Sequence, residues 1–134
     1  MRKFIAAIAV VLAGCSMSAD TRLAEQAVVR FHEMLDAGQS DAIYSEAADE
    51  LKKASTRQEF VALLDAVHRK LGDTRSSDQK GWNVNYQTSG AFVTLNYQTA
   101  YAKGNASEQF VYRLQDSKAL LAGYHINSNA LIIN

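Results

Sequence analysis

Few side chains in this 134-residue chain have chemistry to offer: one cysteine, Cys15, three histidines, His32, His68 and His125, and two aspartates set among apolar residues, Asp36 and Asp65. A lone thiol has no intrachain partner, so a disulfide is excluded, and in an oxidising compartment such a thiol needs a cap. The histidines stand far apart with no i, i+4 pair, which leaves no cluster of metal-ligand spacing. His32 and His68 fall at the edges of helical apolar stripes, where a histidine points to water or caps a neighbour. His125 follows Tyr124 and so faces the other side of its strand. Acid–base catalysis needs two groups held within hydrogen-bond reach of a substrate, and spacing assembles no such pair. The chain also lacks a glycine-rich phosphate loop and a Gly-x-Ser-x-Gly elbow. The sequence therefore predicts no catalytic residue, no metal ligand and no cofactor.

Cys15 has a context of its own. A basic start, Arg2-Lys3, precedes an uncharged segment from Phe4 to Leu12 that is too short for a permanent membrane span and suited to a secretory leader. The run Leu12-Ala13-Gly14-Cys15 resembles the bacterial lipobox. That resemblance implies a diacylglyceryl group on the Cys15 thiol, cleavage between Gly14 and Cys15, and a third acyl chain on the new N-terminus. Such chains contribute roughly 0.8 kcal/mol per buried methylene, enough together for stable attachment. Similar lipoproteins with Ser at the position of Ser16 usually pass to the outer membrane. The expected organisation is thus a leader, 1–14, a lipidated tether, 15–20, and one domain, 21–134, on the periplasmic side of the outer membrane rather than the inner.

The full chain balances 14 basic against 14 acidic residues. Loss of Arg2 and Lys3 with the leader would leave 12 against 14. No run of Lys and Arg occurs, which argues against a nucleic-acid partner. No repeat or second long apolar span appears, and the 120 residues from Cys15 onward suit one core.

From Asp20, the residues Ala24, Ala27, Val28, Phe31, Met34 and Leu35 recur at helical spacing and Gly38 closes the run. A second helix is expected at about Asp41 to Lys53, carrying Ile43, Tyr44, Ala47, Ala48 and Leu51. Thr56 and Glu59 form a capping box before Phe60, Leu63, Leu64, Val67 and Leu71, with Gly72 as the stop.

Beyond Gly72 the period becomes two and the composition turns to Thr, Tyr, Val, Asn and Gln, predicting four antiparallel strands. Trp82, Val84, Tyr86 and Thr88 share a face of the first. Val93, Leu95, Tyr97, Thr99 and Tyr101 share a face of the second, Ala91 to Ala102, with Phe92, Thr94, Asn96 and Gln98 opposite. A hairpin turn is expected at Lys103 to Ala106, a third strand at Ser107 to Gln115 and a fourth at Ala119 to Ser128, with Leu131-Ile132-Ile133 extending or flanking it. Helices first and sheet second is an α+β order, the N-terminal helices packing on one face of a curved antiparallel sheet.

Several strings here carry a resemblance: Lys70-Leu71-Gly72, Val93 to Thr99 with Tyr101, Glu108-Gln109-Phe110-Val111-Tyr112, and Leu121-Ala122-Gly123-Tyr124-His125-Ile126. Together they resemble an uncharacterised group of bacterial envelope proteins within the nuclear-transport-factor-like, or cystatin-like, cone superfamily. Such proteins usually carry Trp-Arg or Trp-Lys before the final strand, where this chain has Ala119-Leu120. The resemblance implies a cone closed by helices, a cavity that several superfamily members use for small molecules, and a fold that also hosts isomerases and dehydratases. Tyr97, Tyr101, Phe110, Tyr112 and Tyr124 could all point inward. They read either as the wall of a pocket for a flat or apolar ligand or as a filled core with each phenol partnered at the rim. Asn96 and Gln98, on the other face, are the surface offered to a partner. The expected function is a membrane-tethered, non-catalytic protein-binding module in the periplasm, such as an assembly factor or an immunity protein against a secreted toxin. The alternatives are a carrier or sensor of a small apolar ligand, and a small isomerase or hydrolase.

Overall fold

A computed structural model describes residues 15–133 of the chain, so the expected leader, 1–14, lies outside the described residues. Helix α1, Cys15–Asp36, includes the residues assigned above to a tether. It ends where Gly38, at φ 74°, lets the Gly38 and Gln39 amides return to the carbonyls of Leu35 and Met34. That crossed pair of bonds is the Schellman arrangement, and a residue with a Cβ would be strained at Gly38.

The single second helix expected at about Asp41 to Lys53 is two short ones, α2 (Ser40–Ser45) and α3 (Asp49–Ala54). The break has a tertiary cause. Ala48 is extended, and its N–H donates to the Leu121 carbonyl on the last strand at 2.8 Å. Helix α4, Arg57–Leu71, starts with the full capping box between Thr56 and Glu59. Its last turn holds His68, Arg69 and Lys70, basic side chains that suit a helix C-terminus.

The strands β1 (Thr74–Gln87), β2 (Gly90–Tyr101), β3 (Gly104–Gln115) and β4 (Lys118–Asn127) form an open antiparallel sheet in sequential order. The β2–β3 turn is tighter than expected, since strand pairing continues to Tyr101 and Gly104. Asp116 and Ser117 both have positive φ, the requirement of a two-residue type I′ turn between β3 and β4. Register shifts fall between Thr74 and Ser76, between Gln79 and Gly81, and between Val111 and Tyr112. Each such irregularity adds bend and twist to the strand that carries it. Leu131 to Ile133 flank β4 within a final turn of helix, α5 (Asn129–Ile133).

Helix α1 runs along β1. Tyr86 reaches Asp20 near its start, and Asp36 at its end accepts from the amide and hydroxyl of Thr74. The core lies between helices and sheet. Phe31, Leu35, Leu64, Val67 and Leu71 from the helices meet Val93, Leu95, Phe110 and Tyr124 from the strands.

Candidate functional site

The inward face of β3 carries Glu108, Phe110 and Tyr112 in alternation, and the pairing sets Tyr97 opposite Glu108 and Leu95 opposite Phe110. Phe110 is the hub. It meets the rings of Phe31, Tyr97 and His32 edge to face, with centroids 5.0, 5.8 and 5.7 Å away. Such pairs add stabilisation beyond buried area, and here they fill the space between α1 and the sheet. Of the five aromatics expected to face inward, all are buried.

A carboxylate sits in this apolar layer. Glu108 is 2% exposed and His32 6%. The Oε1 atom of Glu108 lies 2.8 Å from His32 Nε2 and accepts from Thr99 Oγ1 at 2.6 Å. Its Oε2 accepts from Tyr101 and Tyr124 at 2.6 and 2.5 Å. Ser77 extends the chain to Thr99 at 2.8 Å. Burial opposes ionisation of Glu108, yet His32, Thr99 and Tyr101 together hold its carboxyl below the usual glutamate range. Burial and the neighbouring Glu108 charge push the Tyr101 and Tyr124 phenols far up, so both stay protonated donors. The boundary role read for His32 is therefore corrected: its ring is turned inward onto Glu108. Sequence reasoning did not single out Glu108, although its place on the same strand face as Phe110 and Tyr112 was the available signal; its partner lies 76 residues away.

The other expected residues are dispersed. His68 pairs with Asp73 at 3.0 Å. Asp36 and Asp65 are engaged, Asp36 by Thr74 and Asp65 by Ser40 at 2.7 Å. His125 is exposed. Asn96 and Gln98 are exposed on the outer face, where they accept from Gln109 at 3.2 Å and Ser107 at 3.0 Å. Among the described residues no group of three His, Cys, Asp or Glu side chains could hold a metal ion. Among them, too, no helix is long and apolar enough to cross a membrane.

Beside the filled layer lies an open groove of about 530 Å³ between α1 and the start of β4. Leu23, Ala27, Phe31 and Met34 form one wall, with Tyr112, Ala119 and Leu121 across from them. At the rim, Arg30 grips Glu46 with two bonds of 3.0 and 3.1 Å from one guanidinium nitrogen. Lys118 adds a second cation. Tyr112 is the one member of the expected aromatic wall that borders the groove, and its hydroxyl is buried without a hydrogen-bond partner among the described residues. Burial first, with the Glu108 charge and any ionisation of Tyr97 adding to it, keeps that phenol protonated. An unmet buried hydroxyl costs about 1–3 kcal/mol, and a groove ligand would recover this only by displacing the side chains that cover the phenol oxygen.

Helices laid over one face of an open four-stranded antiparallel sheet define a cone fold of the nuclear-transport-factor-like type. The chain belongs to the family described as "Protein of unknown function (DUF4019)", whose model matches residues 27–124. A crystal structure of a "Putative Scytalone Dehydratase" from Novosphingobium aromaticivorans DSM 12444 shares the fold, with a TM-score of 0.52 at 10% identity over 82% of this chain and 84% of that one. No curated protein matches the chain.

Proposed function

We propose that this protein is a lipid-anchored, non-catalytic binding module of the cell envelope, tethered through Cys15 to the outer membrane, whose α1–β4 groove holds a small, mainly apolar molecule. The observation that carries the reading is the pairing of an apolar groove with the unpartnered Tyr112 hydroxyl. Small-molecule sites commonly have this composition and size, a mostly apolar lining with a few polar groups that fix orientation. The ligand class is an apolar body bearing a carbonyl or carboxyl oxygen, which Tyr112 would bond once the side chains covering its hydroxyl move aside, with Lys118 and the Glu46-bound Arg30 at its polar end. Leu23, the first wall residue, comes eight positions after Cys15, so the groove lies near the anchor.

A dehydratase-like activity, suggested by the name of the fold neighbour, would require an acid or base facing a substrate. His32 Nε2 and both Glu108 carboxylate oxygens are instead spent on each other and on Thr99, Tyr101 and Tyr124, and neither residue borders the groove. A protein partner at Asn96 and Gln98 would meet side chains already bonded across the strands.

Native mass spectrometry of protein isolated from its own membrane tests the proposal. A discrete non-covalent adduct of small-molecule mass, released by organic solvent, is expected. A stoichiometric protein partner in place of an adduct would overturn it.

A further inference from the structure

Charge disappears from the distal part of the β1–β2 hairpin, beyond Arg75, Asp78 and Lys80 at its base. Residues 81–102 contain no Asp, Glu, Lys or Arg, in a chain of which 21% is charged. The same hairpin exposes two large aromatics, Trp82 at 51% and Tyr86 at 59%. Their register, opposite Leu95 and Ala91, puts both on the helix-facing side of the sheet, beyond the cover of α1. The hairpin's own polar side chains next to them in sequence, Asn83, Asn85, Gln87, Thr88 and Ser89, are uncharged, and the nearest charges are Asp20 beside Tyr86 and Glu25 and Lys80 beside Trp82.

The position of the anchor gives this surface its partner. Tyr86 donates to the Asp20 carboxylate at 3.4 Å, and Asp20 is five residues from Cys15. Five residues advance about 7.5 Å as helix and at most roughly 18 Å fully extended. A lipid on Cys15 would therefore keep the hairpin within this distance of the bilayer surface. Trp and Tyr combine an apolar ring with a polar tip and favour headgroup depth, where flanking charges such as Asp20, Glu25 and Lys80 can stay hydrated.

We propose that the β1–β2 hairpin is a membrane-docking surface, with Trp82 and Tyr86 seated in the interfacial layer of the bilayer that carries the Cys15 anchor. This rests on the anchor reading. Docking fixes the domain's orientation on the membrane.

Trp82 is the only tryptophan, so intrinsic fluorescence reports this surface alone. Protein extracted from its membrane is reconstituted in phosphatidylethanolamine–phosphatidylglycerol vesicles, with and without brominated acyl chains. Docking predicts emission at shorter wavelength, shielding from iodide and strong quenching by the brominated lipid, all reduced in a folded Tyr86→Glu variant. Emission and iodide access equal to those of the detergent-free, unanchored Cys15→Ser protein would overturn the proposal. So would iodide shielding that rises with protein density without bromolipid quenching, the signature of a second copy. Intact mass of the same sample reports whether Cys15 carries lipid. If it does not, the anchor reading fails separately, and coupling this single thiol to a maleimide lipid in the same vesicles lets the fluorescence decide the docking.

Discussion

His32 Nε2 lies 2.8 Å from Glu108 Oε1, a contact between α1 and β3 that joins the two layers of the fold through their buried ionisable groups. Breaking a buried, hydrogen-bonded pair leaves polar groups without partners, and typically costs about 3–5 kcal/mol. Glu108→Gln and His32→Gln should each lower stability by roughly 3 kcal/mol. His68→Gln and His125→Gln should stay within about 0.5 kcal/mol, since both lie outside the core. Urea denaturation of the four variants compares them directly, and a neutral Glu108→Gln would show that the network contributes no stability.

The same carboxylate sets an acid dependence. Its pKa is lowered in the folded state, so the stability it contributes is full above the ordinary glutamate value of about 4.3. That stability drains away as pH falls from there through the lowered folded value. Denaturation midpoints measured at pH 7 and at successively lower pH should converge between wild type and Glu108→Gln. A gap that widens on acidification would reverse the assigned direction.

These two expectations lie beyond local pattern. The Thr56–Glu59 box and the alternation of β2 were legible because each is a local arrangement of neighbouring residues. The break between α2 and α3 was not, because the Leu121 carbonyl that captures the Ala48 amide comes 73 residues later. Nor was the first half of β1, Thr74 to Gly81, whose polar residues form a strand by pairing with β2 rather than by apolar alternation. Inward-facing aromatics could be named from period two, whereas the groove needed the juxtaposition of α1 with β4. Glu108 stood in plain view between apolar neighbours, and a charge on a buried face signals a buried partner.

Tyr112→Phe separates binding from folding. Among the described residues the hydroxyl has no partner to lose, so stability should hold or rise, by up to about 1 kcal/mol. Retention of the groove ligand should fall at least tenfold, the equivalent of about 1.4 kcal/mol. Thermal melting and adduct occupancy give the two readouts. A loss of more than about 2 kcal/mol in stability would mean that the phenol is bonded in the folded protein.

Cys15→Ser should abolish metabolic labelling by a fatty-acid analogue and leave an unprocessed or soluble form, since serine cannot form the thioether. Undiminished labelling of the variant would remove the anchor. Fractionation of wild type should place it with the outer membrane, and recovery solely from the inner membrane would refute that assignment.

The central claim, a ligand in the α1–β4 groove, is tested most directly at Ala119, a small residue on its wall. Ala119→Trp adds a large side chain where the ligand would lie. With a melting temperature close to wild type, the variant isolated from its membrane should have lost the adduct that the wild-type protein retains in native mass spectra. Equal adduct on both proteins would contradict the account.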